Sequence, residues 1–445
     1  MRTTLFVIFL FAAALIAVQG AQAQTPCKWQ AEPHPDHVRS PVQMDIHAGY
    51  RIFAFHSDGT IGYRLSGEFP YAAFLSFTTY NGADGLLYNA LLDYQIKPDP
   101  GSKNPFQAGE LVNYPDRSYT VTVLPDGTVP DVANPIFMPP LPPGSNLMTV
   151  VLVQRIYLAE PGVNPPPGES PRFGGVEAPT IEPFEASNPT TPAGCPSGDF
   201  SAITSQVESF GGNFSQSPLP RNGRIEFYRP PVSGVPFADG SHQETEQDCT
   251  DYLEATVFPD QIAVIHLPKV PRFFDNTDTT VLTTFPKADD VDVRYLSLGS
   301  YGAHVLPPFN TKGGVLADEN IAGPDVKTLA DGSATFVAIP VRMSRSDTDD
   351  VAAKADGLGY NVMPLAESGL LFPQGPLVNP FLIYRNKVSA SGFAGSIAQK
   401  VPCFKGKNFS HAPRVDAASP RNMRQYAPVG VECSLEDFLY GGCGQ

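Results

Sequence analysis

Apolar and polar positions alternate through this chain in short runs, the period of strands that bury one face. The longest run spans residues 147–158, where Val151, Val153, Arg155 and Tyr157 interleave with Val150, Leu152, Gln154 and Ile156. Residues 50–55 and 60–64 flank Ser57-Asp58-Gly59, which predicts a hairpin because Asp-Gly suits a tight turn between strands. Residues 252–258 and 261–267 predict a second strand pair over Pro259-Asp260. Helical spacing is rare. Phe200, Ile203, Val207 and Phe210 keep it, with Ser197 as N-cap, and residues 386–400 form a helix candidate broken by Gly392 and Gly395. A short acidic helical turn is expected at Leu435-Glu436-Asp437-Phe438.

One pattern occurs twice. Phe74-Leu75-Ser76-Phe77, Tyr80, Leu92-Asp93 and Ile96 are matched in order by Tyr295-Leu296-Ser297-Leu298, Tyr301, Ala317-Asp318 and Ile321. In the first copy, Leu75 and Phe77 share one face of a strand and Phe74 and Ser76 the other. The expected fold is therefore all-β with minor helices, built as two related β-sandwich or jelly-roll units that are pseudo-duplicated. The expected divisions are a signal peptide at 1–23, a first unit at 24–182, a Pro-rich linker at 183–196, a second unit at 197–402 and a disulfide-stapled tail at 403–445.

Composition sharpens this. The 47 Pro and 39 Gly of the 445 residues break helices and supply turns. Arg2, an apolar run over residues 5–18 and Ala21-Gln22-Ala23 read as a cleavable export signal. That apolar run is shorter than the roughly 18–20 residues a spanning helix needs, so no transmembrane segment is expected, and the destination is extracellular or, in a Gram-negative bacterium, periplasmic. The net charge of −15 without a basic run excludes nucleic acid as a partner. Six cysteines in an exported chain imply three disulfides. Cys433–Cys443 is the favoured local pair, because its loop is short and carries Gly441-Gly442; Cys195–Cys249 and Cys27–Cys403 follow. Asn213 and Asn408 head glycosylation sequons that matter only in a eukaryotic source.

A family resemblance enters on scattered motifs. Asp292-Val293-Arg294-Tyr295-Leu296-Ser297-Leu298, Leu316-Ala317-Asp318, Asp331-Gly332, Ile383-Tyr384-Arg385-Asn386 and the tail with Met423, Tyr426, Ala427-Pro428 and Cys433 resemble a signature of uncharacterised secreted bacterial proteins. Arg155-Ile156-Tyr157 with Gly174-Gly175-Val176, Pro179 and Ile181 is similar to the C-terminal motif of related β-sandwich domains of unknown function. The resemblance implies a β-rich exported protein and brings no activity. Leu296 stands where the signature leads one to expect tryptophan, and Trp29 is the chain's single tryptophan.

Candidate chemistry is sparse. Asp93 and Asp318, paired by the repeat, are the carboxylates to consider for glycoside hydrolysis, although an Asp at a loop start more commonly accepts backbone hydrogen bonds. Arg155 and Arg294 sit on strands, and strand parity puts Arg294 on the face of Leu296 and Leu298; buried there it needs a carboxylate, for which Asp292 and Asp318 are the candidates. His304 follows Tyr301-Gly302 in the second copy without a counterpart in the first. Acidic groups at Asp275 and Asp278, at Asp289, Asp290 and Asp292, and at Asp347, Asp349 and Asp350 make calcium the cation to consider, without the spacing of a calcium-binding loop; no other cofactor is expected. There is no Gly-x-Ser-x-Gly elbow. The leading expectation is a non-enzymatic exported protein that recognises an extracellular ligand, carbohydrate among the classes considered, or serves a structural role. The rival is a secreted hydrolase of carbohydrates or esters with its site between the two units.

Overall fold

The computed structural model describes residues 26–30, 32, 45–82, 87–128, 132–160, 162–196, 219–228, 252–274, 284–285, 290–304, 314–366, 369–370, 377–390, 392–397 and 420–443. Of these, 87, 303–304, 314–320, 369–370, 377–378 and 420–421 are described by backbone alone. The expected helix at 197–210, both sequons, Cys249 and Cys403 lie outside the described residues.

The first unit contains β1 (Ala48–Ser57), β2 (Ile61–Glu68), β3 (Ala72–Asn81), β4 (Leu87–Leu92), β5 (Ser118–Pro125), β6 (Pro135–Met138), β7 (Met148–Ala159), β8 (Thr180–Glu185) and β9 (Asn188–Pro192). They form a four-stranded sheet ordered β1-β7-β3-β4 and a five-stranded sheet ordered β6-β5-β2-β8-β9. The second unit contains β10 (Arg224–Ile225), β11 (Tyr252–Thr256), β12 (Ile262–Leu267), β13 (Val293–His304), β14 (Gly314–Ala322) and β15 (Ala334–Pro340). Helix α1 (Arg345–Gly357) follows, then β16 (Asn361–Leu365), the small pair β17 (Gly369–Leu370) and β18 (Leu377–Val378), β19 (Phe381–Ser389) and β20 (Val429–Cys433). Its sheets run β11-β19-β13-β14 and β10-β20-β12-β15-β16.

The two units share this order in eight strands, while the remaining edge strand differs, β9 following β8 in the chain and β10 preceding β11. In both, the last strand of the five-stranded sheet on one edge joins in parallel, β6 on β5 and β16 on β15. Both edge pairs carry a register shift, at Thr79/Tyr80 and at Ser300/Tyr301. Both use one buried asparagine to tie a loop to a sheet. Asn134 bonds the backbone of Lys97 and Thr120, and Asn361 bonds that of Lys327 and Thr335.

Three packed interiors give four layers. Leu75, Phe77, Leu152 and Ile156 from the four-stranded sheet meet Tyr63, Leu65, Tyr119 and Val121 in the first sandwich. Leu296, Leu298, Leu382 and Tyr384 meet Ile265, Phe336 and Ala338 in the second. The outward faces of the two four-stranded sheets meet each other through Tyr50, Phe74, Val153, Tyr157 and Tyr295. The alternation read at 147–158 and in the first copy of the repeat thus divides two buried faces, and a middle layer buries both.

That double burial corrects both expected hairpins. β1 pairs with β7 while β2 pairs with β5 and β8; β11 pairs with β19 while β12 pairs with β15 and β20. Asp58-Gly59 is a corner between layers, where Asp58 accepts from the Thr60 amide at 2.9 Å and Gly59 takes φ +82°. β1 is buried along both faces, whereas β2 leaves Arg64 and Ser66 partly exposed and Glu68 exposed. A hairpin would force those polar groups into the middle of the stack.

Other expectations are corrected too. Residues 183–196 are not a linker: β8 extends through Glu185, and β9 forms the sheet edge, where its prolines need no ladder partner. The helix expected from residue 386 is the end of β19. Cys433 is bonded to Cys443, and Cys27 to Cys195, which replaces the pairings Cys195–Cys249 and Cys27–Cys403. The Cys27 amide donates to the Ile181 carbonyl at 2.8 Å, so β8 and the chain leading out of it hold both partners together. Helix α1 has a signal in Ser344-x-x-Asp347: the Ser344 hydroxyl accepts from the Asp347 amide at 3.2 Å. Its Val351 and Ala355 cover Ile262, Val337 and Ile339 on the five-stranded sheet.

Candidate functional site

The region richest in chemistry is the seam between the four-stranded sheets. In each unit an arginine sits opposite a tyrosine on one neighbouring strand and a serine on the other. Arg155 is registered with Tyr50 and Ser76, Arg385 with Tyr252 and Ser297. The Arg155 guanidinium lies 5.9 Å from the Tyr50 ring and 5.4 Å from that of Tyr80; for Arg385 the distances are 5.8 Å to Tyr252 and 5.2 Å to Tyr301. Cation–π attraction compensates part of the hydration each guanidinium gives up. Arg155 also donates to the Thr78 and Tyr80 hydroxyls, and Arg385 donates to the Tyr301 hydroxyl at 2.5 Å.

Asp45, just before β1, is fully buried and joins the halves. Its carboxylate accepts from the Tyr295 hydroxyl, from Ser297 at 3.3 Å and from the His47 amide at 2.9 Å, and lies 3.5 Å from Arg385. Its amide donates to the Tyr50 hydroxyl at 3.0 Å, which in turn lies 3.3 Å from the Tyr157 hydroxyl. The Tyr157 and Tyr295 rings cross edge-on at 4.9 Å. Burial, and then Asp45, hold the Tyr295 phenol far above its ordinary range. Burial opposes the charge of Arg385, but Tyr301 and Asp45 outweigh it, so the cation is retained.

A second bridge brings together two residues singled out from the sequence. Arg294 donates to Asp93 across the units at 2.5 Å, with Phe285 4.6 Å below its guanidinium. Asp93 also accepts from the Leu75 and Tyr94 amides at 2.9 and 2.6 Å. Burial pushes its carboxyl upward, while Arg294 and the Leu75 amide draw it back. Of the two expected partners of Arg294, Asp292 is engaged by Arg272 at 2.9 Å, and the backbone of Asp318 lies at the register shift opposite Ser300 and Tyr301, farther along β13. Parity fails for Arg294 because the ladder steps from Val293↔Ser389 to Tyr295↔Lys387 past Val388, whose φ is +52°.

Asp318 is also not the counterpart of Asp93. Leu92 and Ala322 occupy the same register, opposite Ser76 and Ser297, so Gly323 follows where Asp93 does in the first unit. Asp318 corresponds to Tyr88, the residue passed over at the first unit's bulge. The side chains of Asp318 and His304 lie outside the described residues. Among the described residues no group of three or more His, Cys, Asp or Glu is arranged to hold a metal ion. Asp347 of the third acidic cluster is spent on capping α1. Sequence reasoning did not single out Asp45, Tyr50, Tyr157 or Tyr301 as site residues; Arg385 had a signal in the motif Ile383-Tyr384-Arg385-Asn386.

The chain is similar in structure to an uncharacterised protein from Burkholderia cenocepacia, with 13% identity, TM-score 0.45, 91% of this chain and 81% of that one covered. It is also similar to the VPA0106 protein from Vibrio parahaemolyticus, with 10% identity, TM-score 0.34, 77% of this chain and 85% of that one covered. No family model and no curated protein matches the chain. The site is therefore read from its own geometry.

Proposed function

We propose that this chain is an exported, disulfide-stabilised pair of β-sandwich units that works by surface recognition or as an envelope or extracellular structural component, without catalysis. The observation that carries this reading is the filled seam. Asp45, Tyr50, Tyr157, Tyr295 and Arg385 are buried where a two-unit enzyme would need an open cleft. Asp93, one of the two carboxylates considered for hydrolysis, is fully buried and spent on Arg294 and two amides. The Cys27–Cys195 and Cys433–Cys443 disulfides favour an oxidising compartment, extracellular or periplasmic. Among the described residues no helix is long and apolar enough to cross a membrane. The shared strand order and the paired asparagines Asn134 and Asn361 favour descent of the units from one duplicated ancestor.

The test is a screen of the purified protein against glycan arrays and against glycosidase and esterase substrates, with and without calcium and reductant. Saturable glycan or surface binding without turnover is the expected result. Turnover that disappears in Asp318→Ala or His304→Ala would overturn the reading in favour of a hydrolase.

A further inference from the structure

At the rim of the seam, Tyr71, Phe106, Val112, Arg117 and Glu160 of the first unit and Phe285 of the second line a groove with a cavity of about 20 Å³. Arg117 is 3% exposed. Its guanidinium lies 3.7 Å from the centre of the Tyr71 ring. One terminal nitrogen donates to the Val112 carbonyl at 3.2 Å and the other to the Pro70 carbonyl at 3.1 Å. Its Nε has no hydrogen-bond partner, and among the described residues no carboxylate lies within 4 Å of it, in contrast to Arg51, Arg294 and Arg385. A guanidinium stays charged at any ordinary pH. Two backbone carbonyls and Tyr71 compensate this buried positive charge without any carboxylate close to it, and Arg117 lines the cavity, where an anionic acceptor would answer its charge.

We infer that this groove binds a small apolar carboxylate, whose anionic end is taken by Arg117 and whose apolar body lies against Tyr71, Val112, Phe106 and Phe285. The enclosed space admits a group about the size of one water, which takes a single carboxylate oxygen and shuts out a sugar ring. The wall beyond it is aromatic, with Phe106 and Phe285 crossing edge-on at 5.4 Å, so a ring or short alkyl chain gains buried area in the open part of the groove. A charge-assisted bond to Arg117 would supply the specificity. The groups whose charge acts on Arg117 are Tyr71, Glu68 and Glu160. Glu68 is exposed, which leaves Glu160 as the near competitor. Burial raises the Glu160 carboxyl above its ordinary range and Arg117 opposes that, so the groove sheds the competing negative charge more readily than open solvent would. This inference goes beyond the recognition reading and does not depend on it, since a hydrolase would carry the same groove.

The experiment is calorimetric titration of the full chain with benzoate at pH 7, with benzamide as the neutral isostere. Benzoate is expected to bind saturably and at least about tenfold more tightly than benzamide, a difference of about 1.4 kcal/mol. Glu160→Gln, which removes one half-exposed charge, is expected to tighten benzoate about two- to fivefold and to leave benzamide unchanged. Arg117→Gln is expected to abolish the preference for benzoate; if it melts early, the Glu160→Gln and benzamide arms still decide. Equal affinity for the two ligands, no saturation, or a Glu160→Gln variant that binds benzoate as the parent does would each overturn the inference.

Discussion

Arg294 of the second unit donates to Asp93 of the first at 2.5 Å, across 201 residues of sequence, and the carboxylate it meets is fully buried. The pair fastens one sandwich to the other at a point where, among the described residues, neither has a charged partner within 4 Å in its own unit. Removing one member strands the other. Arg294→Met is expected to destabilise the protein by about 3–5 kcal/mol, measured by denaturant unfolding. A double-mutant cycle with Asp93→Asn should recover a coupling energy of at least about 1 kcal/mol. Additive effects would mean that the two side chains do not act together.

The Tyr295 hydroxyl is another tie across the seam, donating to Asp45. Tyr295→Phe keeps the ring against Tyr157 but leaves a buried carboxylate one donor short. The expected loss is about 1–3 kcal/mol. Amide hydrogen exchange should report it as faster opening of β1 and β13, with little change in β15 or β20.

The two disulfides differ in what they restrain. Cys27–Cys195 spans 168 residues, whereas Cys433–Cys443 spans 10. The double variant Cys27→Ser/Cys195→Ser is expected to lose about 2–5 kcal/mol of stability and the Cys433→Ser/Cys443→Ser variant less, because loop-closure entropy grows with loop length. Paired thermal melts of the two variants make the comparison; the reverse order would refute it.

Glu432 gives a pH signature. Its carboxylate accepts from the Phe258 amide at 2.6 Å, yet burial and the nearby Asp260 push the carboxyl above its ordinary value despite that bond. A raised carboxyl pKa favours the folded state below the unfolded value, about 4.3, and that contribution is lost as pH rises through the folded value. Glu432→Gln keeps a carbonyl acceptor for Phe258 and removes the titration. It should raise Tm by roughly 1–3 °C at pH 7 and leave it unchanged at pH 4. A uniform shift at both pH values would point to packing instead.

Much of the seam was legible residue by residue without being legible as a site. Alternation in β7 and β3 separates Arg155, Tyr157 and Ser76 from Leu152, Ile156 and Leu75, and the structure keeps that division. The face opposite the first core is the seam, which a single strand cannot reveal, because a second buried face and a solvent face carry the same period. Asp93 and Arg294 were both recognisable as residues needing partners; their pairing was not, since it crosses between units.

The sequence by itself determined the all-β class, the faces of the long strands and the local Cys433–Cys443 bond, because each follows from a pleat of period two or from a short closed loop. Only the tertiary structure decided which strands share a sheet, that Asp58-Gly59 and Pro259-Asp260 turn between layers, that Cys27 meets Cys195, and that Asp45 and Arg294 join the units. Those outcomes depend on burying both faces of a middle layer and on contacts between residues far apart in the chain, as between Asp45 and Arg385, and no local pattern encodes them.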